Sequence, residues 1–199
     1  MVKIKTIRSW LDGAGFNGEL AEHIAYIVFG IIILVVCVLA TMLTRKVVLK
    51  FAAKRIKNNK ITWDDVLVES GVLRRLAHIV PVAIIKFFSE DFGPYSRFVQ
   101  KGVVIYFTLV LLLVIDSLLD AIDKIYRRYE ISKTRPIKGF LQVVKIVSFI
   151  IIAILIIATL IGQSPIILLS SIGALAAVFS FVFKDSILGF IAGIQLTAN

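Results

Sequence analysis

Between Lys145 and Lys184 the chain carries no formal charge. A helix crosses the hydrocarbon core of a bilayer with about 20 residues. The uncharged stretch is therefore too long for one ordinary crossing and fits two short ones joined by a turn. Hydrophobic residues make up 59% of the 199-residue chain, and mean hydropathy is +0.95. Soluble domains contain roughly 45–50% apolar residues even with Gly counted. The expected fold is an all-α integral membrane protein whose apolar runs face lipid as much as a protein core.

Charge bias sets the order and direction of the spans. Residues 23–44 carry no formal charge, and residues 45–60 follow with Arg45, Lys46, Lys50, Lys54, Arg55, Lys57 and Lys60 and no acid. Such basic runs mark cytoplasmic loops. A second basic loop, 120–138, holds six basic and three acidic residues. If both loops are cytoplasmic, an even number of crossings separates them. The weak apolar segment 72–89, which Arg74, Arg75, Pro81 and Lys86 interrupt, must then count as a crossing beside 102–119. Five transmembrane helices are expected, at about 23–44, 72–89, 102–119, 140–161 and 166–184, with the N-terminus outside and the C-terminus in the cytoplasm. Residues 1–22 precede them as an interfacial segment in which Ile4, Ile7, Trp10 and Leu11 recur at helical spacing, with Trp10 as an anchor. Residues 23–161 form a four-helix region, and 162–199 a final helix with an amphipathic extension.

The net charge of +10 lies between apolar runs, where anionic headgroups are the expected partner rather than nucleic acid. No GxSxG, HExxH or P-loop is present. His23 and His78 have no Cys, His or carboxylate at ligand spacing, so neither a metal nor a cofactor is expected. Cys37, the single cysteine, reads as a small core or lipid-facing residue. The acids Asp64, Asp65, Glu69, Asp116, Asp120 and Asp123 read as ion-pair partners of the basic loops. Lys145 reads as a residue whose long stem reaches the headgroups. No enzyme is indicated.

The last helix is built differently from a passive anchor. Ser170, Gly173, Ala174, Ala177, Ser180, Phe181 and Lys184 recur at three- and four-residue steps and share one broad face. Ser170/Ala174, Gly173/Ala177 and Ala176/Ser180 are small-xxx-small pairs, which let helix axes approach closely in lipid. Lys184 and Asp185 fall about 27 Å along the helix from Ile166, at the inner interface. Beyond them Gly189 and Gly193 stand in GxxxG spacing in a segment too short to cross again, and a bend near 185–189 is expected.

The segment IGQSPIILLSSIGALAAVFSFVFKDSILGFIAGIQLTAN resembles the pore-lining region of the small-conductance mechanosensitive channel (MscS) superfamily. With TRPIKGFLQVVKI before it, it is similar to the five-span, YbdG-type miniconductance branch. The resemblance is strongest over 134–199, about a third of the chain. It implies a homo-oligomer, a heptamer in that family, in a bacterial inner membrane, whose last helices ring a pore for ions and small solutes. It implies that Ala177 and Phe181 form the apolar constriction, and that Gly173, Ala176 and Ser180 pack neighbouring helices. It places the helix break at Lys184–Asp185, or further on at Gly189 or Gly193. The family's large aliphatic seal is replaced here by Ala177 and Phe181, so one aromatic ring forms most of the constriction. Lys184 stands where many relatives are uncharged. The family continues into a cytoplasmic β-rich domain, and the sequence ends at Asn199 before it, so a membrane portion of such a protein is expected. The implied function is osmotic protection through a channel opened by tension. A small membrane transporter and a membrane-anchoring scaffold are the alternatives.

Overall fold

A computed structural model describes residues 2–13, 18–56 and 63–197, and among these every regular element is a helix. The chain divides into two compact units, Met1–Ala153 and Ile154–Asn199.

In the first unit α1 (Val2–Gly13) lies against α2 (Glu19–Ile56). The buried residues of α2 run Ala21, Ala25, Phe29, Ile33, Cys37, a ladder at four-residue steps that forms one ridge of the helix surface. Ile4 and Leu11 of α1 close onto the same cluster. The helical spacing of residues 4–11 thus serves packing on α2, while Trp10 is 73% exposed. Lys57 and Lys60 of the basic run lie outside the described residues.

α3 (Trp63–Glu69) and α4 (Val72–Leu76) meet α6 (Ser96–Tyr126) through Val66, Val72 and Ala121. α5 (Ile79–Phe88) continues α4 after a break at Ala77 and His78. The expected disturbance at Pro81 therefore falls three residues earlier. Proline sits in the first turn of α5, where its missing N–H costs little; Ala77 and His78 keep helical dihedrals, and the Ala77 carbonyl accepts from Val80 N–H at 3.4 Å in place of the absent Pro81 N–H. A 3-10 segment, Ser89–Tyr95, then reverses the chain. Gly93 makes the reversal at φ 52°, ψ −119°, and a Cβ there would overlap the Tyr26 hydroxyl. Only glycine fits both demands. Phe92 packs at 5.2 Å between ring centroids on Phe29, which fixes the reversal against α2.

Val82 meets Val103, His78 meets Tyr106 and Arg75 meets Asp116. α4 and α5 therefore run antiparallel along α6. The stretches expected as separate spans 72–89 and 102–119 are the two arms of this hairpin. After α6 a short helix, α7 (Ile131–Thr134), leads into α8 (Lys138–Ile161). Within the supposed basic loop Tyr126 Oη donates to the Arg135 carbonyl at 2.8 Å, which closes a compact turn.

In the second unit the end of α8 is capped by Gly162 at φ 74°, with Gln163 N–H donating to the Ala158 carbonyl at 3.0 Å. This left-handed glycine cap is the expected turn, and Pro165 opens α9 (Pro165–Thr197) in the favoured first position. α9 corrects one expectation. It continues as a single α-helix of 33 residues through Lys184, Asp185, Gly189 and Gly193, with no break in the helix. A glycine within a helix costs only about 1 kcal/mol relative to alanine. That is too little to interrupt a helix unless neighbouring groups reward the bend.

Among the described residues four helical stretches are long and apolar enough to cross a membrane: Leu20–Val47, Val72–Tyr126, Lys138–Ile161 and Pro165–Gln195. The second of these is the hairpin.

Candidate functional site

Gly173, Ala176, Ala177, Ser180, Phe181 and Lys184 fall within an arc of roughly 140° around α9, at 100° per residue. Leu175, Val178, Phe179 and Val182 occupy the other side, where the rings of Phe179 and Phe183 stack at 6.1 Å. The small face is real as a helix surface, because the helix that defines it is unbroken. Phe181 is 80% exposed, and a Cβ at Gly173, Gly189 or Gly193 would meet open space. Ala176, Ala177, Ser180, Lys184 and Asp185 are exposed as well; every residue from 169 to 195 is. Ala177 and Phe181 stand one turn apart on that arc. Asp185, Gly189 and Gly193 rotate progressively away from it, so the expected inner-mouth residues do not continue the same face.

Two polar clusters lie in the first unit. In one, Lys145 Nζ of α8 stands 2.7 Å from Asp116 and 2.6 Å from Asp120, both on α6. Asp116 also accepts from Arg75 Nη1 of α4 at 3.0 Å, and the same guanidinium donates to the Leu113 carbonyl. Asp116 and Asp120, one turn apart on α6, present both carboxylates to the same ammonium. Three helices are thus tied by alternating charges. The side chains of Arg75, Asp116 and Lys145 are each about one-third exposed, at 32%, 38% and 32%. The null charge of this cluster matters in a low-dielectric setting, where an unpaired ion is costly. Pairing of Asp116 follows the expectation for an acid near a helix end. Lys145 departs from its expected role: its ammonium turns to two carboxylates instead of reaching outward. An apolar cleft of about 370 Å³ opens beside the pair, between Leu112 and Leu119 on α6 and Ile146 and Phe149 on α8.

The second cluster was not foreseen. Arg45 Nη2 of α2 lies 2.6 Å from His78 Nε2, and His78 Nδ1 lies 2.9 Å from Tyr106 Oη of α6. The break before α5 puts His78 at the N-cap, where its ring can face α2 and α6 together. The sequence signal for this cluster was three isolated polar residues near span ends, far apart in number and without a motif. Elsewhere Glu69 pairs with Lys124 and Asp123 with Arg127, as expected for acids beside basic loops.

The apolar helices make this chain a multi-pass membrane protein. No protein-family model matches it, and no solved structure does.

Proposed function

We propose that the chain is one subunit of a channel opened by membrane tension, of the mechanosensitive kind that residues 134–199 resemble. The observation that carries this reading is α9: an apolar helix long enough to cross the bilayer, with small residues on one arc and every side chain from 169 to 195 exposed. Small-residue faces in lipid pack against other helices, and copies of α9 around a common axis would supply them. The hairpin arms 72–88 and 96–126 count in this reading as two crossings, which gives five in all. The N-terminus and the turn at 162–165 are then outside, and residues 127–137 and the C-terminus in the cytoplasm.

Phe181 and Ala177 form the constriction in this reading. A ring of phenyl groups excludes water and so blocks ions without a plug. Opening spreads the α9 helices and enlarges the protein in the membrane plane. Tension does work in proportion to that added area and shifts the equilibrium toward the open state. Homo-oligomeric assembly, membrane lipids and permeating ions are the partners this requires.

The test is patch recording of the reconstituted protein. Phe181→Ser removes on the order of 2 kcal/mol of apolar burial per subunit from the closed ring, and channels are expected to open at lower tension or leak at rest. An unchanged threshold places the gate elsewhere.

The charge cluster at Asp116 and Lys145 favours one other reading, a transporter, because ionisable groups within spans often line solute or proton paths. Solute flux without tension, from a species of monomer mass, is the outcome that would select it.

A further inference from the structure

The Arg45–His78–Tyr106 cluster has a proton arrangement fixed by its chemistry. A guanidinium only donates. Arg45 Nη2 therefore donates to His78 Nε2, which must be the bare ring nitrogen. The ring proton is then on Nδ1 and is donated to the Tyr106 oxygen. Tyr106 already accepts, so its own O–H has no acceptor among the described residues. Arg45 Nε–H is buried with no partner. The Tyr106 O–H and the guanidinium's own Nε–H thus lack acceptors, and no carboxylate pairs with Arg45 among the described residues. Leaving buried donors unmade is costly.

These groups border a cavity of about 460 Å³ between α2, α5 and α6. Its far wall is apolar: Leu34, Val38, Met42, Pro81 and Ile85. From Leu34 to Arg45 the helix rises about 16 Å, close to half the ~30 Å hydrocarbon thickness of a bilayer. The cavity therefore has a cationic, donor-rich end at the start of the basic run and an apolar trough one leaflet deep.

We propose that Arg45, His78 and Tyr106 form a binding site for a phosphate-type oxyanion, either a free phosphate or the headgroup of a phospholipid whose acyl chain lies in the trough. A tetrahedral oxyanion offers several acceptor oxygens to the Tyr106 O–H and to the Arg45 guanidinium, which both line the cavity, and a guanidinium is the side chain best matched to it. The site stands apart from α9 and does not depend on what α9 does.

The chain has two histidines, which makes the test internally referenced. The ring resonances of His78 are followed in the full chain, labelled with ¹⁵N-histidine in neutral detergent, with His23 as the reference. Inorganic phosphate is titrated in one arm and short-chain phosphatidylglycerol in the other, at constant ionic strength. A saturable shift of His78, absent at His23, is expected in at least one arm. Phosphate alone producing it identifies a free anion as sufficient; phosphatidylglycerol alone producing it identifies a lipid headgroup. Arg45→Gln is expected to raise the midpoint by about tenfold or more, and Tyr106→Phe by a smaller factor. Lys46→Gln, which removes the same charge next door, is expected to leave it within about twofold. Wild-type protein in which His78 moves in neither arm overturns the proposal, as does a midpoint that Arg45→Gln and Lys46→Gln shift equally.

Discussion

Asp116 faces two cations and Lys145 faces two carboxylates, so removing one member of the cluster does not cost the same at each position. Asp116→Asn strips Arg75 of its one carboxylate partner among the described residues but leaves Lys145 with Asp120. A cost of about 1–3 kcal/mol is expected, between the values for exposed and buried pairs. The check is a double-mutant cycle with Arg75→Gln, read by unfolding in mixed detergent micelles; additive losses would mean the two side chains do not pair. Gly93 gives a second residue-scale prediction. Gly93→Ala places a side chain at positive φ and against Tyr26, and a loss of about 1–3 kcal/mol is expected. In a Tyr26→Phe background the steric share should shrink, the ring carbon still lying 3.1 Å away, and the backbone share remain, as thermal unfolding of the four proteins will tell. Sequence alone made Asp116 a paired acid because an isolated carboxylate is costly near lipid. It did not name Arg75 as the partner, since 41 positions separate them and nothing in a single sequence reports a hairpin register. Lys145 misled for a related reason: a long stem near a span end satisfies a snorkelling account whether or not an acid waits inside.

Among the elements, α9 is where local propensity and proposed function pull apart. The helix is continuous through both late glycines. Gly189→Ala and Gly193→Ala are each expected to stabilise its last turns by up to about 1 kcal/mol, seen as slower amide hydrogen exchange over 189–197. If assembled copies use a bend there, the same variants should disturb gating while strengthening the helix. The existence of the apolar helices was legible because uncharged runs of span length admit few alternatives. Their ends were less so: α2 and α6 extend beyond the expected spans, since Lys, Arg and Glu favour helix as readily as the apolar core does. The buried ladder of α2 was not legible at all. Its lipid-facing side is as apolar as its packed side, so no amphipathic contrast marks Ala21, Ala25, Phe29, Ile33 and Cys37. The small arc of α9 was legible for the opposite reason, because residue size still varies around a helix when polarity does not.

For the molecule as a whole, the hairpin sets the parity of the crossings. Both of its ends return to one side, so in the five-pass arrangement residues 127–137 and the turn at Gln163 lie on opposite faces. Single cysteines at Lys133 and Gln163, both exposed, in a Cys37→Ser background, test this with a membrane-impermeant maleimide on intact cells. Gln163→Cys should label from outside and Lys133→Cys only after the cells are opened; labelling of both from one side would rule the arrangement out. One detail of the hairpin reaches beyond topology. On the first arm Arg75 pairs with Asp116, which Lys145 of α8 also holds, and three residues later His78 meets Arg45 of α2. Between those two anchorages lies Ala77, whose carbonyl has no Pro81 N–H to accept. The Ala77 carbonyl keeps only a long bond from Val80 N–H, at 3.4 Å, so a change of angle between α4 and α5 would cost least there.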